Sequence, residues 1–193
     1  MKLVICEGVD DQLVLEELLK YLGRTDVVVE QCKGTGNLSR YLRDLPIRPE
    51  FARNEVESLG VMIDADTDGD GSWRKVVDLV RSVFKTELAS RGVAAGERPR
   101  IIGFVNGVAN QGTLEDVCLE AVRNHPGYPC LEDYFRCLAQ NTPRNIYPTK
   151  AKFRAWMASQ SDFDLRTGTA AQGGYLPWES EAFEPLRAFL SAL

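Results

Sequence analysis

Residues 59–71 read LGVMIDADTDGDG and carry acids at alternate positions, Asp64, Asp66, Asp68 and Asp70. Carboxylates this close repel one another unless a cation neutralises them, and their oxygens suit a hard divalent ion such as Mg²⁺ or Mn²⁺. The apolar residues Val61, Met62 and Ile63 just before them read as a buried strand that delivers the acids to one spot. Two other readings compete. Counted from Asp64, positions 1, 3 and 5 are Asp and position 6 is Gly69, as in a calcium-binding EF-hand loop. Position 12, however, is Lys75, a cation where that loop places a bidentate Glu, and a strand rather than a helix leads in. The remaining alternative is an ordinary solvated acidic turn.

Acids also follow two other strand patterns. The run KLVIC at residues 2–6 ends at Glu7-Gly8, and Leu13, Leu15, Leu18, Leu19 and Leu22 then recur at helical spacing. Asp10 or Asp11 suits the N-cap of that helix and Gly23 its stop. Residues 27–32 are a second strand. Lys33-Gly34-Thr35-Gly36-Asn37 after it reads as a turn capping a helix at 38–45, with a backbone approach to phosphate as the rarer use. Residues 46–56, with Pro46 and Pro49, read as a surface loop, and a long amphipathic helix is expected over 72–90. A fourth strand at 100–105 runs into the polar loop 106–112 and then Thr113-Leu114-Glu115-Asp116, where Thr113 and Asp116 have capping-box spacing.

Strands alternating with helices predict an α/β fold with a doubly wound, mainly parallel sheet of about four strands. Residues 1–125 form the α/β core in this reading. Residues 126–193 form a helical extension packed on it as one folding unit, with helices near 130–140, 150–159 and 181–192 and a glycine-rich, aromatic stretch at 168–178. In such sheets ligands sit at the carboxyl ends of the strands. Glu7, Asp11, Asp64, Asp66, Glu115 and Asp116 all fall there, and together they could hold one or two divalent ions. Two such ions about 3.5–4 Å apart activate a water and stabilise a leaving oxygen in phosphodiester hydrolysis.

Composition narrows the classes. A chain of 193 residues has enough length to bury roughly 70% of its unfolded surface, so it needs no staples. The net charge of −5 excludes a generally basic nucleic-acid binder, although carboxylates committed to cations weaken that argument. Arg40, Arg43, Arg48, Arg53, Arg74 and Lys75 are the candidate phosphate contacts, with ordinary surface charge as the rival reading. His125 is the single histidine, which rules out a multi-histidine zinc site and leaves His125 as a surface loop residue. The five cysteines form no CxxC pair, and three lie in apolar patterns, as expected of free thiols in a reducing compartment. Only four apolar residues follow Met1-Lys2, too few for a signal peptide, and no run approaches a membrane span, so a cytoplasmic protein is expected.

A strand ending in Glu7-Gly8-x-x-Asp11, followed by one ending in Asp64-x-Asp66, resembles the TOPRIM domain. That fold is shared by topoisomerases, bacterial-type primases and several nucleases. Gly112-Thr113-Leu114-Glu115-Asp116 resembles the branch containing the overcoming-lysogenization-defect (OLD) nucleases and small stand-alone relatives. The tail, with Lys150-Ala-Lys152 and residues 174–178, also resembles those relatives. The resemblance implies that Glu7, Asp11, Asp64, Asp66, Glu115 and Asp116 are metal ligands or their orienting neighbours. It further implies that Lys150 or Lys152 stabilises charge at a scissile phosphate. No GxxxxGK[ST] motif occurs, so the full OLD machine is not expected from this sequence, and neither a motif-placed tyrosine for topoisomerase strand cleavage nor a primase zinc module is seen.

The expected function is Mg²⁺- or Mn²⁺-dependent hydrolysis of nucleic acid, DNA before RNA. The alternative is a non-catalytic module binding metal, nucleotide or a partner, with a partner protein or a homodimer as further possibilities. Nucleotidyl transfer would need recognition elements that the sequence does not display.

Overall fold

The computed structural model describes residues 1–142, 149–160 and 166–193. Four parallel strands, β1 (Lys2–Cys6), β2 (Val27–Gln31), β3 (Ser58–Asp64) and β4 (Arg100–Asn106), form one sheet in the order β2-β1-β3-β4. Helices α1 (Val9–Tyr21), α2 (Leu38–Asp44), α3 (Pro49–Ala52) and α4 (Gly69–Phe84) connect the strands. Helices α5 (Leu114–Ala121), α6 (Tyr128–Asn141), α7 (Thr149–Ala158), α8 (Thr167–Gln172) and α9 (Glu184–Ser191) follow β4. The expected doubly wound α/β architecture is the observed one.

Strands β1, β3 and β4 are nearly continuous apolar runs because both of their faces are covered, while the edge strand β2 is half-buried. Alternate residues go to opposite sides, as strand geometry requires. Val4, Cys6, Met62, Ile102 and Phe104 join an apolar cluster with α1, α5 and the C-terminal helices. Leu3, Ile5, Leu59, Val61, Ile63, Ile101 and Val105 join a second one with α2 and α4. The first cluster takes side chains from both sides of residue 125, among them Leu15, Phe153, Trp156 and Phe189. Phe104 and Phe189 stack with ring centroids 4.9 Å apart, fixing α9 on that face.

The chain reverses its lateral direction between β1 and β3. β2 lies outside β1, and β4 lies outside β3. At such a switch point the flanking helices diverge to opposite faces and leave a crevice at the strand carboxyl ends. Glu7 follows β1 and Asp64 ends β3, so both stand at the rim of that crevice.

Several expected boundaries move. The N-cap of α1 is Gly8, not Asp10 or Asp11; Asp11 instead closes the first turn by accepting the Gly8 N–H at 2.8 Å. Helix α4 begins at Gly69 because the Asp68 side chain caps it, and it ends before Lys85, which is left-handed at φ 58°. The stretch 46–56 contains α3 rather than loop alone. The glycine-rich stretch after 166 holds α8, whose Gly168 packs so closely on α1 that an added Cβ would lie 2.7 Å from a Leu13 side-chain carbon. Contact with α1 supplies what the small residues of α8 lack in intrinsic propensity.

Candidate metal centre

Five acids from three segments converge at the crevice. Glu7, Asp10, Asp11, Asp64 and Glu115 line a pocket of about 250 Å³ together with Gly8, Val9, Gly34 and Lys150. A larger cleft of about 490 Å³ lies in the helical region beside His125 and Trp156. His125 is exposed, as expected, and meets Trp156 edge-on with ring centroids 4.8 Å apart.

Each acid is held by short-range hydrogen bonds. Glu7 Oε1 accepts the Asp64 backbone N–H at 3.0 Å, and Glu7 Oε2 accepts the Thr35 hydroxyl. Asp64 Oδ1 accepts Asn106 Nδ2 at 3.2 Å from the adjacent position on β4. Glu115 Oε2 accepts the Thr113 hydroxyl at 2.8 Å, and its Oε1 accepts the Thr167 hydroxyl at 3.3 Å. Asp116 Oδ2 accepts the Thr113 N–H at 2.7 Å in the expected capping box, and its Oδ1 accepts the Thr149 hydroxyl at 2.5 Å. Asp10 Oδ1 accepts the Gly168 N–H at 3.1 Å. Threonines from four segments thus orient three site acids.

The electrostatics follow from crowding and burial. Burial, then the nearby charge of Asp11, raises Asp64 from an ordinary carboxylate value to about 8, against the opposing Asn106 hydrogen bond. Burial also raises Asp11 to about 6; the Gly8 N–H opposes this, and Glu7 and Glu115 reinforce it. Among the described residues Lys150 is the one cation lining the pocket. Its Nζ lies 3.6 Å from Glu115 Oε1, and it partly offsets the acids. A carboxylate cluster with so little internal compensation favours an added cation.

The structure does not gather every sequence candidate. Asp66 is exposed, with a left-handed φ of 49°, and its backbone bridges Gly112. Asp116 serves as a cap beside the pocket rather than lining it. Lys152 turns away and pairs with Glu132 at 2.9 and 3.1 Å. Asp68 caps α4, and Asp70 pairs with Arg91 at 2.7 Å, so these two acids stabilise a helix start and a loop. The acidic segment is therefore strand, turn and helix, which excludes an EF-hand. Asp10, Asn106, Thr149 and Thr167 were not picked out as site residues from sequence. Asn106 had a local signal, since it ends the strand that pairs with β3.

The family profile of DUF3226, described as a protein of unknown function, matches residues 1–193. The chain belongs to this family. A solved structure described as the C-terminal region of the Xanthomonas campestris pv. campestris OLD protein is similar over 99% of this chain and 90% of that one, at 16% identity and a TM-score of 0.48. Likeness at that level carries nothing about the site. A comparison with curated proteins found no match.

The donor set of this DUF3226 chain fits a hard cation by chemistry, since carboxylate oxygens converge and repel one another. Among the described residues no three acidic, histidine or cysteine side chains yet form a complete cage. Glu7, Asp64 and Glu115 are the residues that would hold an ion, with Asp11 behind them. Among the described residues no helix is long and apolar enough to cross a membrane.

Proposed function

We propose that this chain is a TOPRIM-type, OLD-like nuclease that uses Mg²⁺ or Mn²⁺ to hydrolyse phosphodiester bonds. One observation carries the reading: acids following β1, β3 and β4 line one pocket at the sheet's switch point. The motif Glu7-Gly8-x-x-Asp11 and the pair Asp64-x-Asp66 support it from the sequence. A bound divalent ion would supply Lewis acidity and a water of lowered pKa. The chain's own residues supply the rest. Thr35 and the Asp64 N–H fix Glu7 through both of its oxygens. Asn106 fixes one oxygen of Asp64. Lys150, with its side chain 57% exposed beside Glu115, is free to turn toward an incoming phosphate.

The test is incubation of purified protein with DNA and RNA in Mn²⁺ or Mg²⁺, beside an Asp64→Asn variant prepared identically. Metal-dependent cleavage by the wild type and its loss in the variant are expected. Equal cleavage by both proteins would overturn the assignment. A non-catalytic metal- or nucleotide-binding module is the second reading, favoured by the absence of a preformed three-acid cage among the described residues. It expects a mononucleotide with metal to raise thermal stability while both proteins leave polynucleotides intact.

A further inference from the structure

The structure sorts the basic residues into two groups. Arg48 is committed to Glu30, at 2.8 Å, and lies over the Tyr41 ring at 4.8 Å. Arg53 follows α3, before the start of β3, and therefore belongs to the sheet edge opposite the pocket. Lys33, Arg40, Arg43, Arg74 and Lys75 are instead exposed on the turn after β2, on α2 and on the first turns of α4. These segments adjoin one another. Lys75 Nζ donates to the Thr35 carbonyl at 3.3 Å, while Asn37 Nδ2 donates to the Lys33 carbonyl at 2.7 Å. Thr35 in turn holds Glu7, so this basic shoulder begins at the wall of the acid pocket.

The shoulder is only partly neutralised by its own acids. Arg40 lies 4.0 Å from Asp44 and Arg74 lies 3.6 Å from Asp68, both between exposed side chains. Exposed pairs of this kind are weak and exchange readily for other anions. Five exposed cations against the exposed Asp44, Asp68 and Asp70 on the same segments leave a modest local excess on a chain of net charge −5, a directed feature rather than a general one.

Resting on the hydrolase reading above, we propose that this shoulder binds the sugar–phosphate backbone of an extended polynucleotide whose scissile phosphate lies at the acid pocket. Length selects a polymer over a mononucleotide. From Thr35 through the 3₁₀ turn to Arg43 the chain rises roughly 13 Å at about 2.0 and 1.5 Å per residue. That is about four steps of 3.4 Å along one strand of a duplex. A mononucleotide at Glu7 cannot also touch Arg43; a strand several nucleotides long can.

The experiment is anisotropy of a labelled oligonucleotide, as DNA and as RNA, with Ca²⁺ present, using wild type, an Arg40→Glu/Arg43→Glu variant and an Arg53→Glu control. The double variant is expected to bind about tenfold or more weakly, and the slope of log K against log salt should shrink by roughly 1.4 for two lost phosphate contacts on a single strand. Arg53→Glu should bind as wild type does, and Mn²⁺ affinity should be the same in all three. Equal binding by the double variant, equal damage from Arg53→Glu, or no oligonucleotide binding by the wild type would overturn the proposal. The two readings fail separately. Cleavage that survives Arg40→Glu/Arg43→Glu with unchanged binding sinks the shoulder alone, and shoulder-dependent binding without cleavage sinks hydrolysis alone.

Discussion

The Asp64 backbone N–H donates to Glu7 Oε1 at 3.0 Å, joining the ends of β3 and β1 across the switch point. The Thr35 hydroxyl occupies the other oxygen of Glu7. Glu7 is thus aimed before any ligand arrives. Outer hydrogen bonds of this kind typically change metal affinity 10- to 100-fold, as an order of magnitude. Thr35→Val should therefore weaken Mn²⁺ binding by about tenfold in calorimetry, while Thr35→Ser, which keeps the hydroxyl, should restore it. Equal affinity in Thr35→Val would show that this hydroxyl does not orient Glu7.

Asp64 gives a prediction in pH. Its folded value of about 8 lies above its ordinary value of 3.8, so the folded state retains a proton that the unfolded state releases between those limits. Stability from this group is full below the lower limit and declines as pH rises toward the upper one, by up to about 1.4 kcal/mol per pH unit. Asp64→Asn removes this titration. Without metal, the variant should gain on the wild type steadily between pH 5 and pH 8 in urea melts, an interval inside the window from 3.8 to about 8. Parallel curves for the two proteins would refute the crowded-acid description.

The two late lysines should separate. Lys150 sits 3.6 Å from Glu115 at the pocket, whereas Lys152 pairs with Glu132 at 2.9 Å. Lys150→Met should lower cleavage by at least about tenfold while the fold is retained, because the lysine side chain itself is 57% exposed although Glu115 beside it is buried. Lys152→Met should leave cleavage intact. The reverse pattern would move the phosphate contact to Lys152.

Gly112 supports the site through its backbone. It has φ 87°, and an added Cβ would lie 2.5 Å from Asp116 Oδ2. Gly112→Ala should destabilise by about 1–3 kcal/mol, since both strain and a disturbed α5 cap contribute. A melting temperature equal to wild type would contradict that geometry.

The strands β1, β3 and β4 and the acids at their ends were legible because these strands are buried on both faces and read as mainly apolar runs, whereas the edge strand β2 is half-buried and carries Glu30 and Gln31. What sequence could not supply was direction. Lys150 and Lys152 are two apart on a helix and point to different sides, so only the packing of α7 on α5 selects between them. Asp66 looks equivalent to Asp64 by alternation, yet the turn locked to Gly112 carries it to the surface. Thr149 and Thr167 lie far along the chain from the acids they hold, and nothing local marks them. Helix α8, TGTAAQ, forms against α1 rather than from its own preference.

Diffraction from crystals soaked in Mn²⁺, recorded near the manganese absorption edge, tests the central claim most directly. The account predicts an anomalous peak in the pocket between Glu7, Asp64 and Glu115, absent from Asp64→Asn crystals. Peaks confined to other acids of the surface, with this pocket unchanged at saturating Mn²⁺, would contradict it.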